Sequence, residues 1–164
     1  MLDARWKALA GAALVFAADR VTKSVIESRV SIMDTYTVIP GFFDIVHSQN
    51  RGVAFGLFND SKSEWRTVLL VAAAVAAVVM VTVMLVRSSG LERRTAWALA
   101  LVLGGAMGNV FDRIMWGRVT DFLAFYVGNY QWPAFNVADS AIVIGSGLLM
   151  LDLIRQKRQP ANVP

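Results

Sequence analysis

Apolar positions along this chain come in long unbroken runs. The plainest, Thr67 to Val86, is twenty residues without a charge. As a helix rising 1.5 Å per residue it would cover roughly 30 Å, the thickness of a bilayer core. A second uncharged run, Thr95 to Phe111, ends in Asp112 and Arg113, and a third opens near Asn136 and continues through Ser140 to Leu151, with Asp139 close to its start. The N-terminal stretch is apolar from Ala8 to Ala18 before it meets Asp19, Arg20 and Lys23. It shares its shape with a signal-peptide core, but Ala17, Ala18, Asp19 is a poor cleavage site, and a retained helix brings both termini to one side. The pattern predicts a membrane all-α fold of four transmembrane helices, at about residues 6–27, 67–86, 95–115 and 137–154, in a single integral domain, 1–164.

The two connections between spans, 28–66 and 116–136, have a pattern of their own. Tyr36, Val38 and Ile39, then Phe42, Phe43, Ile45 and Val46, flank Pro40 and Gly41 and predict short strands joined by a turn, hence a small extracytoplasmic β-sheet. Phe55 to Arg66 mixes Phe55, Leu57, Phe58 and Trp65 with Asn59, Asp60, Ser61 and Lys62, the pattern of an interfacial amphipathic segment. Trp116, Phe122, Phe125, Tyr126, Tyr130 and Trp132 crowd the same boundary, as an aromatic belt does with no further role.

Composition agrees with a membrane protein: 56% of the 164 residues are hydrophobic, 17% are charged, and the mean hydropathy is +0.52. The absence of Cys excludes disulfides, Cys-ligated zinc and thiol catalysis, and His47 alone makes neither a His-rich metal site nor a Ser/His pair. The net charge of +4 does not point to nucleic acid, because Lys and Arg gather at the ends of apolar runs. Segments 1–7, 87–94 and 155–164 carry eight of them in 25 residues, against five in 60 for 28–66 and 116–136. The positive-inside bias therefore places both termini in the cytoplasm and both long loops outside.

An ionised group at mid-membrane costs about 2.5 to 3.5 kcal/mol on insertion scales, so the acids near the spans need an account. Asp152 lies beside Arg155 at a solvated helix end. Asp19 and Lys23 are four apart on one helix face, and Asp112 is followed at once by Arg113, so ion pairing is the first reading for both acids. Asp121 and Asp139 have no basic neighbour within two positions, and each sits where an outer loop meets the membrane. Antiparallel neighbouring helices would bring them together, and two adjacent carboxyls share one proton, the arrangement that aspartic proteases use. From spacing alone Asp139 serves equally well as a helix N-cap. Asn136 reads equally as a cap, Asn50 to Gly52 as a tight turn, Gly104 and Gly108 as a tight helix contact, and Gly145 to Gly147 as small-residue packing rather than a nucleophile.

Five blocks in order, spanning nearly the whole chain, decide between these readings. They are Asp19 with Lys23; Asn50, Arg51, Gly52, Val53, Ala54, Phe55, Gly56; Gly108, Asn109, Val110, Phe111, Asp112, Arg113; Val119, Thr120, Asp121, Phe122; and Phe135, Asn136, Val137, Ala138, Asp139. Together they resemble the bacterial lipoprotein signal peptidase (signal peptidase II) family, with Val53 standing where that family usually has Ala. The resemblance implies an intramembrane aspartyl endopeptidase of the bacterial cytoplasmic membrane. Such an enzyme removes signal peptides from diacylglyceryl-modified prolipoproteins, cutting before the lipidated Cys at the outer face. It implies a monomer among membrane lipid, inhibited by globomycin, with no metal or organic cofactor. By the same resemblance Asp121 and Asp139 are the catalytic pair, Asn50, Gly52, Asn109, Arg113 and Asn136 line or brace the site, and Asp19 and Lys23 support it. The outer sheet and the Phe55 to Arg66 segment are expected to close over the substrate as a lid. A small proton-coupled exporter is the alternative from another class, and it would need an acid near the middle of a span.

Overall fold

The computed structural model describes residues 4–32, 34–51, 64–87 and 90–158. Gly52 and residues 53–63, and with them most of the amphipathic segment that the expected lid adds to the outer sheet, lie outside the described residues. The chain runs α1 (Ala4–Arg29), β1 (Thr35–Ile39), β2 (Phe43–Asn50), α2 (Glu64–Arg87), α3 (Arg93–Trp116), β3 (Val119–Val127), β4 (Tyr130–Gln131) and α4 (Val137–Arg158). Four long helices thus coincide with the four apolar runs. Two of them, Arg93–Trp116 and Val137–Arg155, are long and apolar enough by themselves to cross a membrane.

The distribution of side chains is inverted relative to a water-soluble protein. Leu14 and Val21 on α1, Val79 and Met80 on α2, and Val143 and Met150 on α4 are exposed, while Asp19, Lys23, Asn109, Asp112, Asp121 and Asn136 are buried. A surface this apolar around a charged interior is stable only where the surroundings are apolar too.

The third helix is the hub, packed against α1, α2 and α4. Its glycines allow this closeness: a Cβ at Gly104 would stand 2.5 Å from the Ala12 carbonyl oxygen of α1, and one at Gly108 would fall on the Asp19 carboxylate. Gly104 and Gly108 therefore serve contacts within the chain, and Gly145 does the same against Ala98 of α3. Gly117 ends α3 in the left-handed conformation (φ 66°), its N–H donating to the Arg113 carbonyl, and turns the chain directly into β3.

The strands form one antiparallel sheet in the order β1-β2-β3-β4. The hairpin around Pro40 and Gly41 matches the expected one. The third strand is a finding: Val119 to Val127 reads from sequence as loop and aromatic belt, yet it pairs with β2 from Phe43↔Phe125 to Asn50↔Val119. Several belt aromatics are sheet residues, with Phe125 stacked on Phe43 at 4.7 Å and on Phe135 at 5.7 Å.

Candidate active site

Asp121 comes from β3 and Asp139 from the first turn of α4, and Asn136 joins them. Asn136 caps α4: its Oδ1 accepts the Asp139 N–H at 2.9 Å, and Asp139 Oδ2 accepts the Asn136 N–H at 3.3 Å, a reciprocal capping box. With its Oδ1 turned to the helix, its Nδ2 donates to Asp121 Oδ1 at 2.7 Å. The cap and the bridge between the acids, which are alternatives in the sequence, are one residue doing both. The second oxygen of Asp121 accepts from Asn50 Nδ2 at 3.1 Å. The strand register explains this contact, because Ser48 stands opposite Asp121 and Asn50, two residues on, shares its face.

Asp139 Oδ1 accepts from Asn109 Nδ2 at 2.7 Å. The other end of that amide accepts from Lys23 Nζ at 3.1 Å. A carboxylate only accepts and an ammonium only donates, so the Asn109 amide has one orientation that satisfies both neighbours. Lys23 is fully buried, 2.8 Å from Asp19 Oδ2 and 2.7 Å from Asp112 Oδ2. Asp112 is also paired with Arg20. Two acids and two bases thus cancel in the interior, the condition on which buried charge is tolerated.

This corrects the sequence reading of Asp112. Adjacent residues on a helix point about 100° apart. Asp112 accordingly turns its ion pairs to α1, while Arg113 donates from Nη1 to the Asn109 carbonyl at 3.2 Å and interacts electrostatically first with Asp139, then with Asp121, and least with Asp112. Asp152, read beside Arg155, instead accepts from Thr95 Oγ1 at 3.1 Å. The Asp19–Lys23 pair stands as expected, and Asp19 does more: its Oδ1 accepts the Ala138 N–H at 2.9 Å, satisfying a second orphan donor of α4. Arg20 is a site residue that the sequence reading misses. Besides pairing with Asp112 it lies 4.6 Å over the Trp116 ring, and its place beside Asp19 is the available signal.

Asp121 is only 3% exposed. Burial first, and then the charge of Asp139, push its carboxyl up to about 7 against the opposing hydrogen bonds from Asn50 and Asn136. The pair can therefore keep a proton on Asp121 at neutral pH while a second carboxyl lies beside it. Among the described residues, no group of three or more His, Asp or Glu side chains is placed to hold a metal ion.

Residues 11–155 match the family described as Signal peptidase (SPase) II. The chain is 63% identical to the lipoprotein signal peptidase of Solibacter usitatus (strain Ellin6076), covering 99% of each sequence. It is 46% identical to that of Oleidesulfovibrio alaskensis (strain ATCC BAA-1058 / DSM 17464 / G20), covering 89% of this chain and 93% of the other. A bacterial membrane enzyme solved by the in meso method at 2.3 Å superposes with a TM-score of 0.86 at 26% identity, over 96% of this chain and 93% of that one. Fold, buried polar site and relatives agree: this chain belongs to the signal peptidase II family of peptidases.

Proposed function

We propose that the chain is an intramembrane aspartyl endopeptidase that removes signal peptides from diacylglyceryl-modified prolipoproteins, cutting before the lipidated Cys. The observation that carries this reading is the carboxyl pair joined through Asn136, one member buried and pushed up to about 7. In this mechanism Asp139 takes a proton from a water molecule as its oxygen attacks the scissile carbonyl carbon, and protonated Asp121 gives its proton to the carbonyl oxygen. The tetrahedral diol then collapses: Asp139 gives its proton to the amide nitrogen, the C–N bond breaks, and a diol hydroxyl returns its proton to Asp121 as the carboxylic acid product forms, so the pair again holds one proton. Asn109 and Asn136 hold Asp139 and Asp121 in place. In this reading Arg113 and the second N–H of the Asn109 amide are the donors for the substrate backbone, whose carbonyls lose water at the bilayer edge. Asn50, the last residue of β2, stands at the strand end where an extended peptide would lie, and Gly52 keeps the site role that the family resemblance implies.

All four helices span the bacterial cytoplasmic membrane in this reading, as one integral domain acting as a monomer. Both termini are cytoplasmic, and the sheet and the acid pair are at the outer face, which the charge bias of the short segments supports. The exporter reading is disfavoured because the other buried acids, Asp19 and Asp112, are held by Lys23 and Arg20.

The test is cleavage of a diacylglyceryl-modified prolipoprotein by the purified chain, beside Asp121→Asn and Asp139→Asn, with and without globomycin. Cleavage by the parent, block by globomycin and two folded but inert variants are expected. A folded parent that does not cut, or variants that cut normally, would overturn the proposal.

A further inference from the structure

Asp19, Lys23 and Glu27 follow one another at intervals of four residues, so they rise along one face of α1, about 12 Å from first to last. Each meets a different part of the site. Asp19 accepts the Ala138 N–H in the first turn of α4, and Lys23 donates to Asn109 and pairs with Asp112 on α3. Both contacts bear on Asp139, the first through its helix and the second through the Asn109 amide. The other acid, Asp121, stands on β3, where α1 makes an apolar contact of Ile26 and Val30 with Phe122. Apolar packing is non-directional, so it brings helix and strand together without fixing one along the other.

Glu27 supplies the directional contact. Its Oε1 accepts from Thr120 Oγ1 at 2.7 Å, and Thr120 is the residue immediately before Asp121. Side chains alternate along a strand, so Thr120 is held from the face opposite to the one on which Asp121 meets Asn50 and Asn136. The second Glu27 oxygen faces Arg20 Nη2 at 4.0 Å, and Arg20 is itself held by Asp112 and the Trp116 ring. The carboxylate is thereby turned with one oxygen toward Thr120. The Glu27 side chain is 34% exposed, so water screens its charge, and the bond acts by its direction more than by its electrostatic strength.

We propose that Glu27 is a positioning residue for the cleavage reaction: through Thr120 it fixes the height of Asp121 along α1, the helix that also holds Asp139 through Asp19 and Lys23. One helix face then sets both members of the pair against each other. This inference rests on the aspartyl peptidase reading and adds to it a residue that touches neither acid.

Cleavage of a diacylglyceryl-modified prolipoprotein by the purified full chain tests this, with the parent beside Thr120→Val, Thr120→Ser, Glu27→Ala and the double variant Glu27→Ala/Thr120→Val. Val has the shape of Thr and suits a strand, and Ala suits a helix, so neither change weakens its own element. Each of Thr120→Val and Glu27→Ala should lower kcat about tenfold with KM unchanged. That is less than the roughly 100-fold that a displacement of 1 Å can cost, because Asn50 and Asn136 still hold the carboxyl. The double variant should be no slower than either single one, as two partners of one bond require, and Thr120→Ser, which keeps the hydroxyl, should recover most of the rate. The alkaline limb of the two slow variants should also move to lower pH, since burial and the charge of Asp139 hold the Asp121 carboxyl up and a looser strand weakens both. A folded parent that does not cut refutes the peptidase reading, and this inference with it. With a parent that cuts, single variants at the parent's rate, losses that multiply in the double variant, or a lowered thermal midpoint as the only change would overturn the positioning role alone.

Discussion

Asp19 and Ala138, 119 residues apart in the chain, are joined by a hydrogen bond of 2.9 Å from the Ala138 N–H to Asp19 Oδ1. The same carboxylate neutralises Lys23, so one buried side chain both caps α4 and balances the interior charge. Replacing it by Ala strands an N–H and leaves Lys23 with half its compensation, and breaking a buried pair in this way costs about 3–5 kcal/mol. Asp19→Ala should therefore lower the thermal midpoint in detergent sharply. Asp19→Asn, which keeps an acceptor for Ala138, should lose less. Equal midpoints for the two variants would show that the cap bond contributes nothing.

The orientation of Asn109 rests on Lys23 at one end and Asp139 at the other. Asn109→Leu has nearly the same volume and no polar atoms, so it should leave the helices packed while Asp139 loses its strongest donor. A fall in kcat on the order of 100-fold is expected, the usual effect of removing one preorganised donor, with KM little changed. A purely structural Asn109 would instead show a lowered midpoint with intact kcat in the protein that remains folded.

Asp121 must hold a proton for the proposed chemistry, and its carboxyl is pushed up to about 7 by burial and by Asp139. Turnover should accordingly decline as pH rises through about 7, and a profile flat from pH 5 to 9 would contradict the mechanism. Asn50→Ala removes a hydrogen bond that holds this value down, so its alkaline limb should move to higher pH. The stability consequence has a definite sign. A carboxyl raised in the folded state contributes stability below its unfolded value and loses it as pH climbs to the folded one. The midpoint of the parent relative to Asp121→Asn should thus drop between about pH 4 and 7 and change little above that.

Close approach to α3 predicts which glycines tolerate a methyl group. Gly104→Ala meets the Ala12 carbonyl oxygen at 2.5 Å and the Val15 Cβ at 2.7 Å, so destabilisation of about 1–3 kcal/mol is expected. Gly108→Ala should add a loss of activity, because its methyl would press on Asp19, which caps the helix of Asp139. A methyl group at Gly147 would meet nothing within 4 Å, and Gly147→Ala should be neutral or slightly stabilising, as Ala is in an open helix position. Thermal unfolding of the three variants side by side, with cleavage rates, checks the ranking.

The four helices and the first hairpin are legible in the sequence because their signals are local. An apolar run of about 20 residues, or two strands around Pro40 and Gly41, needs nothing from the rest of the chain to be recognised. Asp121 and Asp139 stand out for the same reason: they are acids without a basic neighbour in sequence. The third strand is not legible, since Val119 to Val127 is specified by pairing with β2 rather than by its own alternation. Gly52 and the 55–63 part of the expected lid lie outside the described residues.

What the sequence by itself determined, then, is the membrane class of the chain, the helices and the identity of the groups able to do acid–base work, all properties of residue type and spacing. Which groups meet was decided only by the tertiary structure. That Asp112 pairs across to Lys23 and Arg20 instead of with Arg113, that Asn136 is cap and bridge at once, and that Asp19 reaches Ala138 depend on how α1, α3 and α4 pack. The physical reason is range: hydrogen bonds and buried ion pairs act over about 3 Å and are made between segments that the chain separates by tens of residues, so sequence neighbourhood carries almost no information about them.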